Sequence, residues 1–415
     1  MIGETRGLYW LRSDMRLDDN QSLNNFCNSI HQGIFLWCPS ATHNRAATHR
    51  KLFIDDCLAH FSKSLEKHGQ TLLKSIDPIA RALPPLLQEL KIDQVFFSKA
   101  SAVEERSEES ELQSVCQNLG VSVSGIDQET LVHQDDLPFD LCDMPFTFTA
   151  FRKRIEANLS VRAPIEKPKV WPKALLIVPD PKQAAPVSEP LFSGGEDSAL
   201  MRLEHYLWNT NSVARYKLTR NGLMNLDDST KFSPWFSLGC LSPRRVYAEL
   251  KRYEQERGAN ESTYWVFFEL LWRDYFKFLS RRYKEKIFLQ TGVASENTQT
   301  PIKNDHRFKL WCDARTQDPF VNAHMTELNQ TGWMSNRGRQ NVASYLIHNL
   351  KLPWTWGAAY FEQLLIDYDP DVNWGNWLYL SGNGTDPKHR AFDTQQQAAF
   401  YDPDGAYQKK WLLDL

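Results

Sequence analysis

Gly7-Leu-Tyr-Trp-Leu11, Ile34-Phe-Leu-Trp-Cys38, Thr71-Leu-Leu-Lys74, Gln94-Val-Phe-Phe97 and Val121-Ser-Val-Ser-Gly125 are short apolar runs separated by amphipathic stretches such as residues 50–68 and 103–119. Runs of four or five residues rich in aromatic and branched side chains read as strands, and the stretches between them as helices. Strand–helix alternation predicts a parallel sheet covered on both faces, a Rossmann-like α/β domain. Neither G-x-G-x-x-G nor G-x-x-x-x-G-K-[ST] follows any of these strands, so the usual dinucleotide and P-loop fingerprints are missing. Such a fold assigns no function by itself.

Beyond the last run the composition shifts. Pro164, Pro168, Pro172, Pro179, Pro181, Pro186 and Pro190, then Gly194-Gly195, mark a segment read as unable to continue helix or sheet, a long connector over the surface. From residue 196 onward the pattern is helical, with Ser242-Pro243 as a helix start. The expected division is therefore an α/β domain over 1–130, a connector over 131–197 and an all-α domain over 198–415. Eleven of the 14 tryptophans lie after residue 200. Ring stacking on a planar ligand would explain that, but so would large aromatics filling a core.

The 415 residues suffice for two or three domains, and 42% hydrophobic with 24% charged residues is an ordinary globular balance. No run approaches the roughly 18 apolar residues of a membrane span, and the N-terminus reads as no signal peptide. Seven dispersed cysteines without a C-x-x-C pair argue against a disulfide framework or a zinc site. The expected compartment is the cytoplasm, and no metal is expected. A net charge of −3 lends no support to nucleic-acid binding, although a local basic patch can serve on an acidic body.

Four segments could carry chemistry. In the helical pattern from Glu261 to Tyr283, Trp265, Glu269, Trp272, Arg273 and Phe276 share one face. A carboxylate and a guanidinium there are either a structural pair or a ligand site. Ser229-Thr230-Lys231-Phe232-Ser233 could hold a phosphate or be an ordinary hydroxyl-rich loop. Gly332-Trp333-Met334-Ser335-Asn336-Arg337-Gly338-Arg339-Gln340 suits an anionic ligand or a solvated helix start. Asp367-Tyr368-Asp369-Pro370 leading to Asn373-Trp374-Gly375-Asn376-Trp377 could bind a heterocycle edge or make turns.

The order and spacing of these segments resemble the photolyase–cryptochrome family, and most closely its DASH cryptochrome branch. The matching runs are ARYKLTRNGL from residue 214, STKFSPWFSLGCLSPR from 229, FELLWRDYF from 268, GWMSNRGRQNVAS from 332, LLIDYDPDVNWGNWLY from 364 and QAAFYDPDGAYQKKWL from 397. GLYWLRSDMRLDDNQSL from residue 7 looks like the family's first strand and loop. The likeness spans nearly the whole chain.

The resemblance implies FAD folded into the helical domain. Tyr216, Ser229, Thr230, Lys231, Phe232 and Ser233 would hold its phosphates and ribityl chain. Arg339 and Asp367 would pair against the isoalloxazine, Asp369 would lie near the ribose or ring, and Asn373 would face flavin N5. It also implies a substrate, UV-damaged DNA with single strands preferred, whose cyclobutane pyrimidine dimer is flipped out for light-driven repair. Glu269, Trp272 and Asn336 would contact that dimer, and Arg220, Arg273 and Arg337 the DNA backbone. Trp377 and Trp354 would begin a relay that reduces the flavin; because Pro301 stands where a third tryptophan is expected, the relay would end early, leave by Tyr379 or pass through another aromatic such as Trp356. Glu104-Glu105 matches an acidic pair that contacts an antenna pigment, methenyltetrahydrofolate.

Two departures stand out. The chain has Thr316-Gln317-Asp318-Pro319 and Val321-Asn322-Ala323 where the family reads T-G-Y-P and V-D-A. It also ends soon after Trp411-Leu412-Leu413, which favours the enzyme over the alternative, a blue-light receptor with an extended tail. No membrane association and no obligate protein partner are expected.

Overall fold

The computed structural model describes residues 4–176, 191–294, 301–386 and 391–412. Pro179, Pro181, Pro186 and Pro190 lie outside these residues. Five strands, β1 (Arg6–Leu11), β2 (Gln32–Trp37), β3 (Leu72–Lys74), β4 (Gln94–Ser98) and β5 (Ser122–Ile126), form a parallel sheet in the order β3-β2-β1-β4-β5. Successive side chains of a strand point to opposite faces. Leu8 and Trp10 of β1 accordingly pack with one pair of helices, α3 (Ile79–Glu89) and α4 (Val103–Asn118). Tyr9 and Leu11 pack on the other face with α1 (Gln21–Ser29) and α2 (Thr48–Glu66).

The segment expected to be a connector is more structured than its prolines suggest. It contains helix α5 (Phe148–Ala157), and β6 (Lys173–Ala174) pairs in parallel with β2. The expectation that this stretch stays out of the sheet is corrected: Pro172 precedes the two paired residues, and proline is tolerated at the start of an edge strand.

The helical half comprises α6 (Glu196–Glu204), α7 (Pro243–Arg257), α8 (Glu261–Tyr283), α9 (Asp305–Cys312), α10 (Pro319–Thr331), α11 (Asn336–Ser344), α12 (Trp354–Leu364), α13 (Pro370–Leu380), α14 (Thr394–Tyr401) and α15 (Ala406–Leu412), counting helices of seven or more residues. Their starts follow local chemistry. Ser242 caps α7 with Pro243 in the first turn, Asn260 caps α8 through Ser262 and Thr263, and Asp369 caps α13.

The two halves share one apolar core and lock together through charged groups. Asp274 of α8 accepts from the backbone N–H groups of Leu131 and Val132 at 2.9 and 2.8 Å. Arg281 grips Asp127 with two bonds, and Arg244 grips buried Asp19 likewise. At Gly239 (φ +64°) a Cβ would stand 1.9 Å from the Ser13 carbonyl oxygen, so only glycine lets the halves approach this closely. Among the described residues no helix is long and apolar enough to cross a membrane.

Candidate functional site

Helices α8 and α13 lie against each other at Gly375, where a Cβ would come within 2.4 Å of the Phe276 ring. Together with α11 and residues 229–233 they enclose a cavity with about 1530 Å³ of space, mouth included. Tyr216, Ser229, Thr230, Lys231, Phe232, Ser233, Arg339, Asp367, Asp369 and Asn373 all line it.

Arg202 organises the loop. Its guanidinium donates to the carbonyls of Leu226, Ser229 and Thr230 and pairs with Asp227, which consumes the loop's outer acceptors. The hydroxyls of Ser229, Thr230 and Ser233 are not spent on this scaffold. Lys231 adopts φ +57°, which a non-glycine residue holds only when its surroundings enforce it. Its side chain is buried, with the ammonium 5.2 Å from the Trp333 ring, and it makes no hydrogen bond or ion pair among the described residues. Burial pushes its pKa down. A buried, unpaired ammonium costs several kcal/mol, so the loop fits an anionic group such as a flavin nucleotide's phosphate. Tyr216 is buried in the wall, and burial pushes its hydroxyl pKa up.

Across the cavity Arg339 donates to both oxygens of Asp367, at 3.0 and 2.8 Å, while its Nε donates to the Met334 carbonyl. Asn373 is buried on α13 and its Nδ2 donates to the Ala358 carbonyl at 3.0 Å. That anchor orients the amide. Asp369 is used twice by the protein itself. Its Oδ1 caps α13 through Asp371 and Val372, and its Oδ2 lies 2.9 Å from the Lys277 ammonium.

Lys277 is a site residue that sequence reasoning missed. It is 2% exposed among Glu129, Asp369 and Asp371. Burial would lower its pKa, but the three carboxylates outweigh burial and raise it. Burial would likewise raise Glu129, but Lys277, Arg273 and Arg281 hold it down. The spacing of Glu269, Arg273 and Lys277 at i, i+4 and i+8 was the available signal; the acids come from other elements.

At the mouth, Glu269 lines the cavity and pairs with Arg220. Burial pushes the Glu269 pKa up while Arg220 opposes it. Asn336, exposed at the start of α11, lines the same mouth. Arg337 donates to Asn221 at 3.2 Å and lies over the Tyr401 ring.

Two expected substrate contacts are also engaged within the protein. Arg273 lines the cavity and also donates to the Glu129 carbonyl at 2.7 Å, with its side chain 12% exposed beside Asp369. It therefore joins the halves of the molecule, because the chain after β5 crosses directly above it. Trp272 does not line the cavity. Its ring is stacked at 3.7 Å and 14° on Phe148 of α5, within the stretch expected to be a connector.

Trp377 lines the cavity and is buried. Its indole fills the space at Gly357, where a Cβ would come within 2.2 Å, and its ring neighbours are Phe361 and Trp311 at 5.1 and 6.2 Å. Trp354 is buried, donates to the Gln290 carbonyl and meets Trp374 at 5.8 Å. Pro301 and Trp354 line one smaller cavity. Tyr379 is elsewhere, 5.3 Å from Trp272. Trp356 contacts Phe308 at 5.2 Å.

A second cavity lies between the halves and is lined by Glu105, Arg12, Glu108 and Lys277. Burial pushes Glu105 up to about 8, whereas neighbouring Glu104 pairs with Arg45 in solvent. The altered loop at residues 316–322 has a local role. Asn322 bonds Thr316 through backbone and side chain, and Asp318 caps α10.

A parallel α/β half joined to a helical half, with an anion-seeking loop and an Arg–Asp pair around one deep cavity, defines a photolyase-type flavoprotein. Residues 7–169 match the family model for DNA photolyase, and residues 265–415 that for the FAD binding domain of DNA photolyase. The chain is 42% identical to cryptochrome DASH of Danio rerio, over 98% of this chain and 82% of that one. It is 40% identical to cryptochrome DASH of Synechocystis, over 98% and 87%. A Synechocystis cryptochrome crystal structure superposes with a TM-score of 0.91 at 38% identity, covering 100% of this chain and 90% of that one. A class III photolyase from Agrobacterium tumefaciens, at 24% identity and a TM-score of 0.85, shares the fold over 100% and 88%. The chain belongs to the photolyase/cryptochrome family, in its cryptochrome DASH branch.

Proposed function

We propose that this protein repairs cyclobutane pyrimidine dimers in DNA, preferentially in single strands, using light. One observation carries the reading: the residues suited to hold FAD and the polar pair Glu269 and Asn336 line one continuous cavity. Bound FAD, once reduced and excited by light, would supply an electron to the dimer and take it back after the ring opens.

The chain's own residues then bind and position. Lys231 neutralises phosphate, and Arg339 with Asp367 presents a fixed charge pair to the isoalloxazine. Asn373, with Nδ2 anchored on Ala358, offers its carbonyl end to N5 without titrating. Glu269, released from Arg220, hydrogen-bonds the flipped bases while Arg220 turns to phosphate. Flipping is cheapest where the strand is unpaired or damaged, which supports the single-strand preference. Trp377 passes electrons inward to restore the reduced cofactor. Glu105, largely protonated at neutral pH, would donate to an antenna pterin in the second cavity.

A second reading, a blue-light receptor without significant repair, is favoured by one feature. Trp272 is covered by Phe148 and Glu269 is closed on Arg220. The test illuminates the reduced holoprotein with an oligonucleotide carrying one thymine dimer, single-stranded and duplex in parallel. Repair that is lost in Glu269→Ala supports the enzyme. No repair on either form overturns the enzyme and favours the receptor reading.

A further inference from the structure

A row of aromatic rings interleaved with cations runs along the cavity mouth. On α8, Trp265 and Phe268 stack at 4.4 Å and 2°, with the Lys217 ammonium 5.2 Å and the Arg220 guanidinium 5.7 Å from the Trp265 ring. Arg220 also reaches Glu269 at the mouth. The next residue, Asn221, lines the cavity and accepts from Arg337. Arg337 lies 4.8 Å from the Tyr401 ring centroid, and Tyr401 meets Phe400 edge to face at 4.8 Å. The cavity mouth therefore sits between two ring platforms, joined by Arg220, Asn221 and Arg337.

Phe400 is 75% exposed. A single exposed ring needs no explanation, but this one extends a row that ends at the proposed reaction cavity. The row's charges suit a polyanion. Arg337 has no carboxylate partner among the described residues, and its buried Nε has no hydrogen-bond partner. Among the described residues the one carboxylate paired with Lys217 is Glu261, which is 82% exposed. Rings alternating with cations are what an unpaired nucleic-acid strand requires, because each unstacked base offers a π-face and each linkage a phosphate. A duplex, whose bases are already stacked, cannot use them.

We infer that Trp265 and the Tyr401–Phe400 pair are stacking platforms for the unpaired nucleotides on either side of the base drawn into the cavity, so that this surface selects single-stranded DNA. The inference rests on the repair reading, but it is tested by binding in the dark. The FAD-loaded full chain is titrated by fluorescence anisotropy with an undamaged thymidine 12-mer, the same 12-mer with one central thymine dimer, and a duplex of equal length. Phe400→Ala, Trp265→Ala and the ring-keeping Phe400→Tyr are compared with the parent.

Loss of a base-stacking ring is expected to weaken single-strand binding at least about fivefold. Phe400→Tyr should retain it, and duplex binding should change less than twofold. Equal weakening on single strand and duplex, or unchanged binding in both alanine variants, overturns the inference. So does failure of the parent to bind any single strand. If the parent binds single strands through these rings yet repairs nothing in light, the platforms stand and the repair reading falls.

Discussion

The Asp369 carboxylate lies 2.9 Å from the Lys277 ammonium and, through its other oxygen, caps the helix that carries Asn373 and Trp377. One buried ion pair thus fixes the start of the helix lining the flavin cavity. It also reaches the cavity between the halves, which Lys277 and Asp369 both line.

Replacing Lys277 with methionine leaves Glu129, Asp369 and Asp371 buried around an apolar side chain. Breaking one partner of such a cluster costs about 3–5 kcal/mol. Lys277→Met should lower the urea midpoint accordingly and reduce FAD content in the purified protein, while Lys277→Arg keeps most of both. An unchanged midpoint in the methionine variant would show that the three acids are compensated some other way.

Lys231 should behave in the opposite sense without cofactor. Its unpaired buried charge disfavours the apoprotein, so Lys231→Met is expected to unfold at an equal or higher temperature than the parent when both are stripped of FAD. The same variant should bind FAD roughly ten- to a hundredfold more weakly, since a charged hydrogen bond is worth about 1.5–3 kcal/mol. Calorimetric melting with and without FAD separates the two effects. Weakened binding with a large drop in apoprotein stability would refute the assignment.

The Tyr407 hydroxyl joins α15 to Glu327 at 2.6 Å and to His324 at 2.7 Å. Burial pushes Glu327 from 4.5 up to about 7 and His324 from 6.5 down to about 3. The raised acid loses stability as pH climbs from 4.5 to 7, and the lowered histidine loses it as pH falls from 6.5 to 3. The two oppose each other between 4.5 and 6.5. Glu327→Gln should therefore expose a stability that rises with pH below 6.5, and His324→Gln one that falls between 4.5 and 7, each on the order of 1–3 kcal/mol. Urea midpoints across pH 4–8 would check this, and parallel profiles in the two variants would contradict it.

Of the aromatics proposed for flavin photoreduction, Trp377 lines the cavity, whereas Tyr379 packs on Trp272. Trp377→Phe should slow blue-light bleaching of oxidised flavin at least about tenfold, because the first electron step then lacks an oxidisable ring. Tyr379→Phe should alter it less than twofold. Absorbance at the oxidised flavin band under steady illumination gives both rates.

Much was legible because it is local. The five strands fall on the five apolar runs, and the central β1, β2 and β4 are buried along most of their length, as parallel strands covered on both faces require. Helix α8 spans the range its periodicity indicated, Glu261–Tyr283. Ser242 caps the helix that Ser242-Pro243 was expected to start, through neighbours two and three residues on, a distance at which chemistry can be read directly. The flavin-loop residues and the Arg339–Asp367 pair were reached by resemblance, not by periodicity.

Other features were decided by packing. Nothing near Glu269 announces Arg220, 49 residues earlier, as its partner, and nothing near Lys277 announces acids from β5's exit and from α13. Phe148 covers Trp272 because α5 lies on α8. Patterning states which face of an element is buried and where the element starts. Which side chains meet across two buried faces depends on how far one element slides and rotates against another, and that is set by the close packing of the whole core.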